Sequence, residues 1–165
     1  MVFNNLAGLK IKPIIRKTFS PMNKKKYTEI PIRLNAIGHL DVKVTIDGIT
    51  TSFLVDTGAS NTVIDIGFAK ENLQEFKAID EQGGGVGTSA MALFHKKADL
   101  FKINDFEIPS FDLYATDFQH VKDSLAKKGI TETCNGVIGA DILIRYNAVI
   151  DYKKERLYLK RKKNK

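Results

Sequence analysis

Between Leu40 and Gly58 the chain spells out a β-hairpin that ends on a carboxylate. Leu40, Val42, Val44 and Ile46 alternate with Asp41, Lys43 and Thr45, the two-residue period of a strand with one face in a core. Asp47-Gly48 follows, and both residues tolerate the positive φ that a tight hairpin turn requires. The returning strand, Ile49 to Val55, closes on three consecutive apolar residues, Phe53-Leu54-Val55, so it runs into the core. Asp56-Thr57-Gly58-Ala59-Ser60 comes directly after it, and Val63-Ile64 resumes the apolar pattern. An ionisable group is thereby delivered at the end of a buried strand.

The β signal begins at Glu29 and dominates the chain. Strands are expected from Ala90 to Ile103 and, after a turn at Asn104-Asp105, from Phe106 to Tyr114. Gly83-Gly84-Gly85-Val86-Gly87 is the most permissive backbone and lies between β-type segments rather than ahead of a helix. Asp117 to Lys128 reads as a short helix with Phe118, Val121 and Leu125 on one face and Gly129 as its stop. Gly136-Val137-Ile138-Gly139 has the character of a buried strand, and Ala140 to Tyr146 that of a helical turn or two. A last hairpin pairs Ala148–Tyr152 with Arg156–Leu159 around Lys153-Lys154. There is no internal repeat.

A chain of 165 residues has room for one domain but not for two full lobes. Its 43% hydrophobic and 27% charged residues can build a core, which excludes wholesale disorder and collagen-like structure. No run approaches the ~18 uninterrupted apolar residues of a membrane helix. No compact apolar region precedes a small-residue cleavage site either, so the expected location is the cytoplasm, with organelle targeting by the basic start as the competing reading. The single cysteine, Cys134, cannot form an intrachain disulfide or a cysteine metal cluster. His39, His95 and His120 show no metal-ligand spacing, so neither a metal nor a cofactor is expected.

The net charge of +7 is concentrated at the two ends. Residues 1–26 hold Lys10, Lys12, Arg16, Lys17, Lys24, Lys25 and Lys26 without an acid, residues 153–165 hold eight cations against Glu155, and the stretch between carries −7. That distribution argues against a uniformly basic nucleic-acid face. Solvated ends are the plain reading, and contact of Lys160-Arg161-Lys162-Lys163 with nucleic acid or another anionic surface is its rival. The same pattern divides the chain into a basic arm, 1–26, a folded domain, 27–160, and a basic tail, 161–165. The arm is either disordered or a removable pro-segment, and Met22 within it is an alternative start.

The ordered set of motifs resembles the retropepsin-like aspartic proteases, the single-lobed relatives of pepsin. An apolar run enters Asp56-Thr57-Gly58-Ala59-Ser60, a glycine-rich loop follows, and Gly136-Val137-Ile138-Gly139-Ala140-Asp141-Ile142-Leu143 runs into Asn147-Ala148-Val149-Ile150-Asp151-Tyr152. This ending is most similar to the cellular and bacterial branch, and the resemblance spans roughly residues 28–160. It implies an all-β, single-lobed acid-protease barrel with one or two short helices, acting as an aspartic endopeptidase on a peptide or protein. Amide hydrolysis of this type uses two carboxylates that share one proton: the ionised one takes a proton from water while the neutral one hydrogen-bonds the substrate carbonyl. The chain has one Asp-Thr-Gly, so the resemblance implies a homodimer with the active site on its two-fold axis and Asp56 from each protomer.

By the same resemblance Thr57 braces the two loops across the axis, and Gly58 lets the backbone approach the carboxylates and offers an amide donor. Ala59 and Ser60 shape the floor beside the scissile bond. Gly83, Gly84, Gly85 and Val86 belong to a flap that closes over the peptide, and Val137, Ile138 and Gly139 pack behind the active loop. Pepsin-like enzymes usually place a serine or threonine after the triplet. Ala59 lacks that hydroxyl donor, so the active window is expected to reach from mildly acidic toward neutral pH.

Each residue also has a plainer reading. Asp56 serves in many chains as a turn aspartate that caps local amides, and the glycine run as a surface turn. A phosphate cradle is disfavoured because no Lys-Ser/Thr follows it. Cys134 reads as an inert small hydrophobe, and Asp141, at the start of a helical segment, as a cap rather than a second acid. For the whole chain the rivals are a catalytically silent peptide-binding or dimerisation module of the same fold and a small β protein that uses its basic tails on nucleic acid.

Overall fold

The strand signals close into a barrel. The computed structural model describes residues 26–35, 38–73, 75–83, 91–127, 129 and 134–161. In chain order the strands are β1 (Tyr27–Pro31), β2 (Arg33–Leu34), β3 (Leu40–Ile46), β4 (Ile49–Val55), β5 (Val63–Asp65), β6 (Lys77–Gly83), β7 (Met91–Ile103), β8 (Phe106–Thr116), β9 (Gly136–Ile138), β10 (Val149–Asp151) and β11 (Arg156–Lys160). Helix α1 (Ile66–Asn72) follows β5, α2 (Gln119–Ala126) follows β8, and α3 (Ala140–Arg145) follows β9.

The β3–β4 hairpin forms as its alternation demands. Leu40, Val42, Val44 and Ile46 are buried, and Asp47 and Gly48 turn the chain at φ of 47° and 94°. Strands β3, β4, β9, β5, β8 and β7 are hydrogen-bonded in that order, and β7 returns to β3 with Val44 opposite Ile103. Closure leaves no free edge within the six-stranded ring. A separate three-stranded sheet orders β1, β11 and β10. In the barrel interior the ring of Phe101 meets Phe53 edge-on at 6.0 Å and lies 4.7 Å from Phe111. Burying side chains of this size contributes about 1.5–3 kcal/mol each.

Strand β9 positions the site. It runs parallel to β4, with Leu54 opposite Val137, and antiparallel to β5, with Val63 opposite Val137. Strands β4 and β5 are consecutive in sequence yet separated in the sheet by β9, so residues 56–62 must cross over its end.

The structure departs from the sequence expectations at several elements. In the β7–β8 hairpin the buried positions change parity: Ala98 but then Phe101 and Ile103 on β7, and Phe106 and Ile108 but then Phe111, Leu113 and Ala115 on β8. The changeover sits at Ser110, whose φ is 53°. A strict two-residue period cannot register such a turnover. Strand β6 and helix α1 have no counterpart in the sequence expectations. Helix α1 is capped by Asp65, which accepts a hydrogen bond from Phe68 N, and buries Ile66 and Ala69. Helix α2 is shorter than Asp117–Lys128 and has no buried residue: Phe118 and Leu125 are half-buried and Val121 is exposed. Its attachment is polar, as described below. Among the described residues no helix is long and apolar enough to cross a membrane.

Candidate active site

Asp56 stands at the end of β4, where the strand's last backbone pairing passes to the loop: Asp56 N donates to Ile138 O of β9 at 3.0 Å. Gly58 N donates to Asp56 Oδ1 at 2.8 Å, and Ala59 N donates to Asp56 O at 3.3 Å, so the Asp56-Thr57-Gly58 turn folds back on its own first residue. A Cβ at Gly58 would lie 3.3 Å from Asp56 Oδ1. Asp56, Thr57, Gly58 and Ser60 are exposed and Ala59 is half-buried.

Behind the turn, the entry to α3 holds the loop by its backbone. Ala140 N donates to Ala59 O at 2.8 Å and Asp141 N to Ser60 O at 3.1 Å. Gly139 N donates to Thr62 Oγ1 at 3.0 Å, and the fully buried Thr62 hydroxyl donates on to Asp141 Oδ1 at 2.7 Å. Gly139 lies so close that a Cβ there would come within 2.5 Å of the Asn61 carbonyl. Gly136, at the other end of β9, would bring a Cβ to 2.3 Å of the Phe53 ring. Val137 is half-buried and Ile138 fully buried, and both sit in the sheet beside β4 and β5.

Asp141 differs from its expected position. Gly139, not Asp141, is the N-cap of α3, because its extended backbone (φ −99°, ψ −174°) ends β9 and opens the helix. Asp141 lies in the first turn, where Oδ1 accepts from Ile142 N at 2.8 Å as well as from Thr62. Its carboxylate still meets a helix-start amide, and it also ties the helix to the end of the Asp56 loop.

A second carboxylate escaped the sequence reading. Asp65, 2% exposed at the end of β5, receives Lys122 Nζ from α2 at 2.6 Å, Phe68 N at 3.0 Å and Phe118 N at 3.1 Å. Burial works against its charged form, but these hydrogen bonds and the Lys122 charge outweigh it and hold the carboxyl below its usual range. The available signal was Asp65 followed by Ile66, Ala69 and Leu73 at helical spacing, an N-cap with an apolar face.

Burial pushes the Cys134 thiol up to about 11, and Sγ donates to Gly136 O at 2.6 Å. A thiol so held is no nucleophile near neutral pH. His95 Nε2 meets Asp112 Oδ1 at 3.0 Å, while His39 and His120 are exposed. Among the described residues no cluster of His, Cys, Asp and Glu is placed to hold a metal ion. Gly83 ends β6 opposite Met91 on β7. Gly84, Gly85 and Val86 lie outside the described residues.

β4 buries Phe53 alone, with Leu54 and Val55 half-buried rather than in the core as expected, and a closed six-stranded barrel that presents a single Asp-Thr-Gly turn at the end of that strand has the architecture of a single-lobed aspartic protease. A family model described as aspartyl protease matches residues 42–142, and the chain belongs to that family. Solved structures with the same barrel include a retropepsin-like aspartic protease from Rickettsia conorii, at 19% identity and a TM-score of 0.50 over 81% of this chain and 90% of that one. The retroviral protease-like domain of Ddi1 from Leishmania major aligns at 21% identity and a TM-score of 0.50, covering 73% and 87% of the respective chains. The EIAV protease, solved with an inhibitor, aligns at 19% identity and a TM-score of 0.51, covering 72% and 98%. The shared feature at these identities is the retropepsin-like fold. Comparison with curated proteins gave no match.

Proposed function

We propose that the protein is a homodimeric aspartic endopeptidase in which Asp56 of each protomer supplies one of the two carboxylates that activate the hydrolytic water. The observation that carries this reading is the mount of Asp56: an exposed carboxylate on a turn whose backbone is fastened to β9 and α3 by Ile138 O, Ala140 N and Asp141 N. A turn aspartate with a purely local role would not call for that support. Residues 27–160 form the protease domain on this reading.

Two carboxylates brought together on a two-fold axis cannot both stay ionised, so the pair carries one proton. The ionised member accepts a proton from water as the water oxygen bonds to the scissile carbonyl carbon, and the neutral member gives its proton to the carbonyl oxygen. Collapse of the tetrahedral diol breaks the C–N bond, the nitrogen leaves with a proton, and the pair returns to its singly protonated state. Gly58 N, already donating to Asp56 Oδ1, orients the carboxylate. The Thr57 hydroxyl, exposed in the single chain, braces the partner loop. On this reading the segment that joins β6 to β7, which includes Gly84, Gly85 and Val86, serves as the flap that closes on the peptide.

The surface around β10 supports a second copy. Among the described residues β10 has a strand neighbour on one side only. Val149 on β10 is 39% exposed, and Ile144 and Tyr152, which flank it in sequence, are 76% and 64% exposed. Large apolar side chains beside an open strand edge suit a self-complementary two-fold contact.

The decisive experiment is cleavage of a fluorogenic peptide library by wild type and by Asp56→Asn. Cleavage by wild type that a statine-type inhibitor blocks, and its loss in a folded Asp56→Asn, is the expected result. Retained turnover in Asp56→Asn excludes the mechanism, and a folded, dimeric wild type without any turnover identifies a silent module instead.

A further inference from the structure

The turn that carries Asp56 continues into residues 59–62, which form no strand and hang instead on the start of α3. The first amides of a helix have no partner within it, and here two of them are taken by this segment: Ala140 N donates to Ala59 O at 2.8 Å and Asp141 N to Ser60 O at 3.1 Å. Two points of attachment leave one axis about which the segment can still turn. Thr62 supplies a third. Its hydroxyl oxygen accepts from Gly139 N at 3.0 Å, and its single hydroxyl hydrogen goes to Asp141 Oδ1 at 2.7 Å. The same Asp141 oxygen accepts from Ile142 N at 2.8 Å, so it is itself fixed to the helix. Thr62 is fully buried and therefore out of reach of a bound peptide. Valine has the same shape without the cost of burying a hydroxyl, so what threonine adds at this position is its two hydrogen bonds.

We propose that Thr62 and Asp141 are positioning residues for Asp56: the bond between them, across 79 positions of sequence, stops the loop from turning on α3 and so fixes where the Asp56 carboxylate stands. The path to Asp56 is short. Ala59, held by Ala140, donates its own amide to Asp56 O at 3.3 Å, and Asp56 N donates to Ile138 O, the residue before Gly139, at 3.0 Å. Rotation of residues 59–62 about α3 is passed to Asp56 through Ala59. The effect on turnover rests on the endopeptidase reading, whereas the mechanical coupling does not.

The test compares Thr62→Val and Asp141→Ala, which remove the bond, with Thr62→Ser and Asp141→Asn, which keep a hydroxyl donor and an Oδ1 acceptor. Peptide turnover is measured on folded dimer, verified by circular dichroism and sedimentation. The first pair should lower kcat, on the order of 100-fold if Asp56 moves by about 1 Å, with KM little changed. The second pair should restore kcat to near the wild-type value. Thr62→Val combined with Asp141→Ala should lose no more than the weaker of the two, because both break one bond. Amide exchange followed by NMR reads the coupling without any activity: the Asp56 and Ala140 amides should exchange faster in Thr62→Val and as in wild type in Thr62→Ser. If Thr62→Val does not fold, Asp141→Ala, at a half-buried position, carries both measurements. The inference is overturned if the first pair keeps wild-type kcat, if the second pair loses as much as the first, or if the two losses add. A wild type without turnover defeats the endopeptidase reading, and exchange then decides the coupling alone: faster exchange reversed by Thr62→Ser upholds it, and unchanged exchange overturns it.

Discussion

Gly139 has no side chain because the backbone of Asn61 occupies the space where one would go. Gly139→Ala forces β9 and the Asp56 loop apart against backbone that cannot swing aside. The expected outcome is a loss of about 1–3 kcal/mol of stability and, if the loop moves by about 1 Å, a fall in kcat on the order of 100-fold. Thermal melts and peptide turnover check both, and a variant with wild-type values would show that the wedge is not tight. Asp65 makes a contrasting case, since it is a carboxylate used for structure. Lys122→Met leaves it buried with only two amide donors, which should destabilise the fold by about 3 kcal/mol. The folded carboxyl lies below its unfolded value of about 3.9, so the stability it supplies is complete above that pH and is lost as pH falls through the lowered folded value. Urea titrations should therefore show the widest gap between wild type and Lys122→Met above about pH 4, closing toward more acid. A gap that stays constant across this range would mean that Asp65 is not the group responsible.

At the scale of elements, Ile144 and Tyr152, on α3 and in the β10–β11 turn, are the most exposed large apolar side chains among the described residues, and the homodimeric reading puts the contact there. Ile144 and Tyr152 contribute little to the barrel, so charging them should spare the fold while opposing self-association. For Ile144→Glu combined with Tyr152→Glu we expect an unchanged melting curve at high dilution and a dimer dissociation constant raised at least tenfold, read by sedimentation. An unaltered dissociation constant would move the contact elsewhere. Helix α2 is another element whose attachment is not apolar: it is fastened through Lys122 to Asp65 and buries no side chain. Its expected apolar face packs only in part: Phe118 and Leu125 are half-buried and Val121 is exposed.

For the whole molecule, the homodimeric reading makes activity a property of concentration. One Asp56 cannot be acid and base at once, so specific activity should fall on dilution through the dimer dissociation constant, in step with the mass measured by sedimentation. A monomer with full turnover would refute the shared pair.

The hairpin from Leu40 to Val55, the position of Asp56 at its end, the short strand from Gly136 and the closing hairpin were all legible in the sequence. Each depends on local rules: alternation, positive-φ turn residues and apolar runs between glycines. Tertiary structure decided what depends on partners distant in the chain. The Thr62–Asp141 hydrogen bond joins residues 79 positions apart, and the Asp65–Lys122 contact joins residues 57 apart. Neither polar side chain announces its partner, because a hydrogen bond selects by geometry and not by residue type alone. The parity change in β7 and β8 likewise arises where a long hairpin bends around a closed barrel, a constraint no local window contains. The sequence alone determined that the chain carries a carboxylate at the end of a strand and two basic ends. Only the folding of β9 between β4 and β5, and of β1 against β11, decided what braces the first and that Arg161 meets Lys26, because both follow from strand pairings between segments remote in sequence.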